Sequence, residues 1–298
     1  MRIAPRLSWL AVVPLLALAG CAPLDPPATA PPAAAAAALP PAPPADDAAI
    51  LRAIAGDQRL PVNRARDLHR HPHETLSFFG LRGNMTVLEL GAGSGWYTEI
   101  LAPVVRDAGK LIVTGGDPDG PQDKGANRGA RELRDRMKAH PEVFGRVQVA
   151  RIDPPNQIDL APPDSVDLAL VIRQAHDWVR DGYADKMWTA IYRALKPGGT
   201  LGVVAHRAKP DGNNDSLVVG KTGYLTQAFV IRTVEAAGFK MFNDSEINAN
   251  PLDVKDYPEG VWTLPPTLRL KEKDREKYAA IGESDRMTLR FYKPAPTR

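Results

Sequence analysis

The stretch TVLELGAGSGWYTEILAP, residues 86–103, sets one carboxylate, Glu89, just ahead of three alternating glycines, Gly91, Gly93 and Gly95. Glycines so spaced remove Cβ atoms where a ligand nears the backbone, and they permit positive φ angles. A helix opening near Gly95 points free N–H groups at the same spot, so a small polar ligand belongs there. A second chemical group follows a later apolar strand: Arg173-Gln174-Ala175-His176-Asp177-Trp178. Here His176 is the candidate proton acceptor, Asp177 the group to orient it or a substrate amine, and Trp178 a pocket wall. His206 and Arg207 after the next strand, with Glu246, Asn248 and Asn250 in a long loop, are candidates for the substrate side. Each has a structural alternative: a helix cap, a backbone hydrogen bond or a pairing with a nearby carboxylate.

Such residues need elements to hold them. Short helices are expected over 48–55 and 63–70, and another restarts at His71-Pro72-His73-Glu74 and ends at Gly80. Strand and helix signals then alternate. Strands are expected at 86–90, 110–114, 146–152, 166–172, 200–206 and 239–243, with helices at 95–105, 128–140, 181–195 and 220–237. The run VDLALVI is nearly all apolar, as in a strand covered on both faces. The alternating RMTLRFYK at 286–293 reads as a final antiparallel strand. The pattern predicts an α/β fold with a doubly wound, mostly parallel seven-stranded sheet, whose ligands sit beyond the carboxyl ends of the strands. Residues 245–285 form a proline-containing insertion, and loops of that length in compact domains are usually functional.

Spacing separates two ligand classes. Dinucleotide turns read G-x-G-x-x-G, and here Trp96 stands where the third glycine would admit a pyrophosphate. The observed E-x-G-x-G-x-G resembles motif I of class I S-adenosylmethionine-dependent methyltransferases, which are Rossmann-like. That resemblance implies a turn passing beneath the methionine and ribose of the cofactor, with Glu89 near its ammonium group. It also implies Asp153, in RVQVARID, near the adenine, with Arg173 on the cofactor side. Two further matches are the strand opening of LAPPDSVDLALVI, with Asp164 and Asp167, and Lys196-Pro197-Gly198-Gly199 before the fifth strand. These features span 83–206, the expected cofactor-binding core. The wider region 60–293 is similar to a group of predicted bacterial methyltransferases, often exported, through HRA, SEINANPLD, PEGVWTLPP and IGESDRM. One position departs: the family's ribose-binding acid at the end of the second strand is Gly115 here, and the first acid is Asp117. Methyl transfer to an unidentified acceptor, small molecule or lipid among others, is the implied activity. The alternative is a non-catalytic envelope module that keeps the fold to bind a ligand or partner.

The N-terminus adds a location. Arg2 and Arg6 precede an apolar segment, Leu7 to Leu18, too short to span a bilayer comfortably. Leu18-Ala19-Gly20-Cys21 resembles a bacterial lipobox, which implies a signal peptide over 1–20 and lipidation at Cys21. Ala22 after it suggests the outer membrane. Residues 21–47 then read as a Pro/Ala-rich linker and 48–298 as the folded domain. Removing the two signal arginines leaves 36 Lys+Arg against 35 Asp+Glu, a net +1 from the full chain's +3, which gives no case for nucleic acid. A lone cysteine excludes an internal disulfide and a Cys-rich zinc site. His69, His71 and His73 do not share a helical face across Pro72, so no metal is expected.

Overall fold

Strand β4 (Val166–Ile172) is the nearly all-apolar VDLALVI and lies mid-sheet, where both its faces are covered. The computed structural model describes residues 44–296. The lipobox, Cys21 and most of the linker lie outside them. The other strands are β1 (Thr86–Leu90), β2 (Lys110–Val113), β3 (Gln148–Val149), β5 (Leu195–His206), β6 (Lys240–Ser245) and β7 (Arg286–Tyr292). They form one seven-stranded sheet in the order β3-β2-β1-β4-β5-β7-β6. Strands β1 to β5 pair in parallel, and β7 lies antiparallel between β5 and β6. The fold is the doubly wound, mostly parallel α/β sheet expected from the alternation of elements. Register aligns Glu89 of β1 with Val113 of β2 and Leu170 of β4, so their carboxyl ends make one edge.

Helices cover both faces: α1 (Asp47–Ala55), α2 (Pro61–Arg64), α3 (Asp67–Arg70), α4 (Pro72–Phe79), α5 (Thr98–Val105), α6 (Gly125–Ala139), α7 (Pro141–Phe144), α8 (Ala175–Arg180), α9 (Ala184–Ala194), α10 (Ser216–Thr222), α11 (Gln227–Ala236) and α12 (Arg275–Ile281). Helix α5 is almost wholly buried and carries Pro103, which cannot donate to the carbonyl of Glu99. Gln58 Nε2 supplies that hydrogen bond from the N-terminal layer at 3.0 Å. Among the described residues no helix is long and apolar enough to cross a membrane.

Several boundaries differ from the sequence reading, each for a local reason. The helix expected over 63–70 breaks into α2 and α3. Residues 173–178, assigned to neither helix nor strand from sequence, run into α8. The helix expected over 220–237 divides at Gly223, whose φ of +75° ends α10. Its missing Cβ leaves room for Val261, which a methyl group there would meet at 2.5 Å. Strand β3 shrinks to two exposed residues at the sheet's edge. The Lys-Pro-Gly-Gly placed before the fifth strand lies within β5.

The insertion returns to the carboxyl edge of the sheet. Asn250 Nδ2 donates to the carbonyls of Ile281 (2.8 Å) and Glu283 (2.7 Å), and Asp253 accepts from the hydroxyl of Tyr224 and the amide of Asp285. These bonds fix Glu283–Arg286 beside the ends of β4 and β5.

Candidate active site

The backbone leaves β1 through left-handed φ at Gly91 (+67°) and Gly93 (+58°), a region that penalises any side chain. Thr114 braces the turn, accepting from Gly91 N at its hydroxyl and from Ala92 N at its carbonyl. Gly93 has nothing within 4 Å of where its Cβ would stand. It opens on a cavity of about 610 Å³ that Gly115, Asp117, Asp153 and Leu133 also line. Helix α6 forms one wall because Gly116 and Gly129 lack side chains: a Cβ at Gly116 would meet the Ala126 carbonyl carbon at 2.5 Å. Thus Gly93, Asp117 and Asp153, far apart in the chain, share one space. Asp117 is exposed, and its Oδ1 accepts from Asp119 N at 3.0 Å in its own turn. Beside it, a Cβ at Gly115 would approach only Ala130, at 3.9 Å.

Trp96 does not obstruct the turn. Its indole N–H donates to the carbonyl of Asn63 at 3.0 Å, and Arg59 and Arg70 stack on its ring at 5.0 and 4.6 Å. The side chain belongs to the N-terminal helical layer. What covers the other flank is Gln174: a Cβ on Gly91 would stand 2.2 Å from its carboxamide carbon. Beneath it, Glu89 is 5% exposed and accepts from Thr98 Oγ1 at 2.7 Å. Burial pushes its carboxyl up to about 7, with the Thr98 bonds opposing. Gly95 is covered by Leu133, which lies 2.8 Å from its Cβ position.

Beyond Gln174 the site is polar and packed. Arg173 holds a φ of +60°, unusual for a side-chain-bearing residue, and its Nε donates to His206 Nε2 at 3.4 Å. That bond leaves His206 protonated at Nδ1, which meets Ser284 Oγ at 2.5 Å. Burial first, then Arg173 and His176, lower the His206 pKa well below its ordinary value. The His176 ring lies 5.3 Å from that of His206 and 6.0 Å from Trp262. His176 is buried, and its Nδ1 has no hydrogen-bond partner among the described residues. Burial lowers its pKa, with Asp177 opposing and Arg173 adding, so it is neutral near pH 7.

Five residues assigned from sequence make other contacts in the structure. Asp177 lies 3.7 Å from His176 Nε2, beyond hydrogen-bond length, and is instead bound by Arg180 at 2.6 Å. It acts on His176 as a nearby charge. Trp178, two residues on and therefore on the opposite side of α8, packs in the core against Trp188 at 5.0 Å. Trp262 is the indole that stands beside His176, at 6.0 Å. Arg207 and Glu246 face each other in a two-pronged pair at 2.6 Å, with Asp285 as a second partner of Arg207. Asn248 is 1% exposed and ties Thr75 to Thr288 through its amide. Arg207, Glu246 and Asn248 anchor the insertion.

Sequence reasoning missed Gln174, Trp262 and an arginine group, Arg66, Arg70 and Arg286, gathered on Glu283. The i, i+4 pair Arg66 and Arg70 and the ESDR segment were the visible signals, but nothing local joins residues 217 positions apart. His73 pairs with Asp47 at 3.3 Å, and His69 offers its carbonyl to Arg286. Among the described residues no three His, Cys, Asp or Glu side chains converge as a metal site.

A search of curated proteins found no match. Among solved structures, the chain is similar to a SAM-dependent methyltransferase from Aquifex aeolicus at 20% identity, covering 68% of this chain and 93% of that one, with a TM-score of 0.48. The [4+2]-cyclase SpnF matches at 18% identity over 84% and 93% of the two chains, with a TM-score of 0.49. Human N-acetylserotonin methyltransferase in complex with SAM matches at 17% identity over 78% and 54%, with a TM-score of 0.48. The sequence from the second half of β1 to the middle of β5, residues 88–203, matches the family model described as a methyltransferase domain.

Proposed function

We propose that this protein transfers a methyl group from S-adenosylmethionine to an acceptor held between α8 and the end of β5, and that it does so from a lipid anchor at Cys21 in the cell envelope, facing the periplasm. The observation that carries the reading is the opening of Gly93 onto a cavity shared with Asp117 and Asp153, inside a segment that matches a methyltransferase domain. The residues fit the cofactor. Apolar walls on α6 and β3 suit an adenine ring, Asp153 and Asp117 offer acceptors to its polar edges, and buried Glu89 offers a carboxylate for an ammonium group. When bound, the cofactor supplies a methyl group made electrophilic by a sulfonium centre.

The chain's own residues then have separable tasks. Gly93 leaves room and the cavity walls orient, which holds the partners in line and lowers the barrier by positioning. Gln174 must leave Gly91 for the methionine half to seat. His176 is the base where the nucleophile carries a proton, because its Nδ1 is free and it is neutral. His206 is unsuited to that task, since Arg173 occupies its Nε2 and Ser284 its Nδ1. Asp177 stabilises the charged His176 across 3.7 Å.

Equilibrium dialysis of the full chain against radiolabelled S-adenosylmethionine tests the reading, with saturation at micromolar concentration expected. Absence of binding at millimolar cofactor removes it. Labelled palmitate should enter the wild type and not Cys21→Ser, which tests the anchor. A second reading, a non-catalytic ligand-binding module, is favoured by Gln174 over Gly91 and by the missing acid at Gly115. Mass spectrometry of ligand retained through native purification separates the two: adenosylmethionine or adenosylhomocysteine supports the enzyme.

A further inference from the structure

Four guanidinium groups gather at the carboxyl edge of the sheet, and one carboxylate faces them. Glu283 accepts from Arg66 Nε at 2.7 Å, Arg70 Nε at 3.2 Å and Arg286 Nη1 at 3.0 Å. Arg173 is the fourth: it has no ion pair among the described residues, and its one side-chain hydrogen bond among them goes to the neutral His206. The neighbouring carboxylates are already engaged. Asp177 is held by Arg180, and Asp285 by Arg207 and Lys255. The remaining groups that face the cluster, His69, His176, His206 and Tyr97, are shifted by burial toward their neutral forms.

The group is therefore three positive charges in excess. Arg286 is 3% exposed and its Nε lacks a partner, as does Nη2 of Arg66. Burial, with mutual repulsion adding to it, lowers Arg70 to about 9 and Arg173 to about 10. Repulsion of this kind is costly unless an anion offsets it, and a purely structural ion pair would need a single guanidinium for Glu283. Arg173 and Gln174 are only partly buried, so the cluster has an open edge beside the glycine turn. The left-handed backbone of Arg173 holds its side chain at that edge against a local conformational cost.

We propose that Arg173, backed by Arg66, Arg70 and Arg286, binds an oxyanion, a carboxylate or phosphate group carried by the methyl acceptor, next to His176. Planar guanidinium forks suit such groups better than other cations do. The assignment of this anion to the acceptor rests on the methyltransferase reading; the anion site itself does not.

Calorimetric titration of the full chain with inorganic phosphate tests it, with and without saturating S-adenosylhomocysteine. Saturable millimolar binding that persists with the nucleoside bound is expected, weakened about tenfold in Arg173→Gln and in Arg66→Gln and only partly restored in Arg173→Lys. The Arg66 variant leaves Glu283 two partners, so it reports even if the Arg173 variant does not fold. No binding by roughly 100 mM, or equal binding in every variant, overturns the site. Competition between phosphate and S-adenosylhomocysteine assigns the arginines to the cofactor's carboxylate and overturns the acceptor assignment. Arginine-dependent phosphate binding without any binding of S-adenosylhomocysteine keeps the anion site and removes the methyltransferase reading instead.

Discussion

The two flanks of the glycine turn are built on different principles. Toward β2 and β3 the chain withholds side chains, at Gly93, Gly115 and Gly116, and encloses a mostly apolar space against α6. Toward β4 and β5 it crowds charged and titratable groups together: Glu89 under Gln174, then Arg173, two histidines and the arginine cluster. The first flank provides shape, and almost any flat nucleoside would meet it in the same way. The second holds buried charge in excess, so a ligand there would be selected by its charge and by pH. A ligand lying across the turn would meet both, with its base in the space and its reacting end among the charges.

The largest expected effect lies on the charged flank. Glu283→Gln leaves Arg66, Arg70 and Arg286 without their counter-charge and should cost about 3–5 kcal/mol of stability in chemical denaturation. A loss under ~1 kcal/mol would mean that the arginines find solvent or another anion without it. On the open flank, Gly93→Leu fills the cavity mouth and should reduce cofactor affinity by more than about 100-fold while costing roughly 1–2 kcal/mol for its left-handed backbone. Near-normal binding by this variant would place the cofactor elsewhere.

Glu89 links the flanks through protons. Its carboxyl titrates near 7 in the fold against an ordinary 4.5, so the fold holds the proton more tightly than the unfolded chain. Stability therefore falls as pH rises from the ordinary value to about 7, by on the order of 3 kcal/mol, and Glu89→Gln should be the more stable protein at pH 8 but not at pH 4. Affinity for a cationic cofactor should move the opposite way, rising about tenfold from pH 6 to pH 8 in the wild type and staying flat in the variant. Equal pH profiles would detach Glu89 from the ammonium. The smallest change should come from Gly115→Asp, which has space beside Ala130 and needs no unusual φ. Supplying the missing ribose acceptor should tighten cofactor binding about fivefold and move stability by less than ~0.5 kcal/mol. Unchanged affinity would mean that Asp117 already serves the ribose.

The open flank was the more legible in sequence because its signal is local. Alternating glycines after an apolar strand describe a turn within seven residues, whereas Asp153 came from the family resemblance of RVQVARID, since β3 itself ends at Val149. The crowded flank depends on distant approach. Trp178 read as a pocket wall because it stands near His176 in the chain, whereas a helix turns residues two apart to opposite sides. Arg207 and Glu246 read as substrate-side candidates, with an unspecified pairing as the alternative, because nothing in either segment announces the other.

From sequence alone followed the alternation of strands and helices, the parallel sheet, the antiparallel last strand and the place of the glycine turn. Hydrophobic period, glycine spacing and proline are properties of a few neighbouring residues, and they act before the chain has folded. Only the tertiary structure decided that Trp96 turns away from the turn, that Gln174 covers Gly91, and that Arg66, Arg70, Arg173 and Arg286 meet around Glu283. Those outcomes depend on which surfaces come into contact once the sheet forms, and on how burial then changes the energy of each charge.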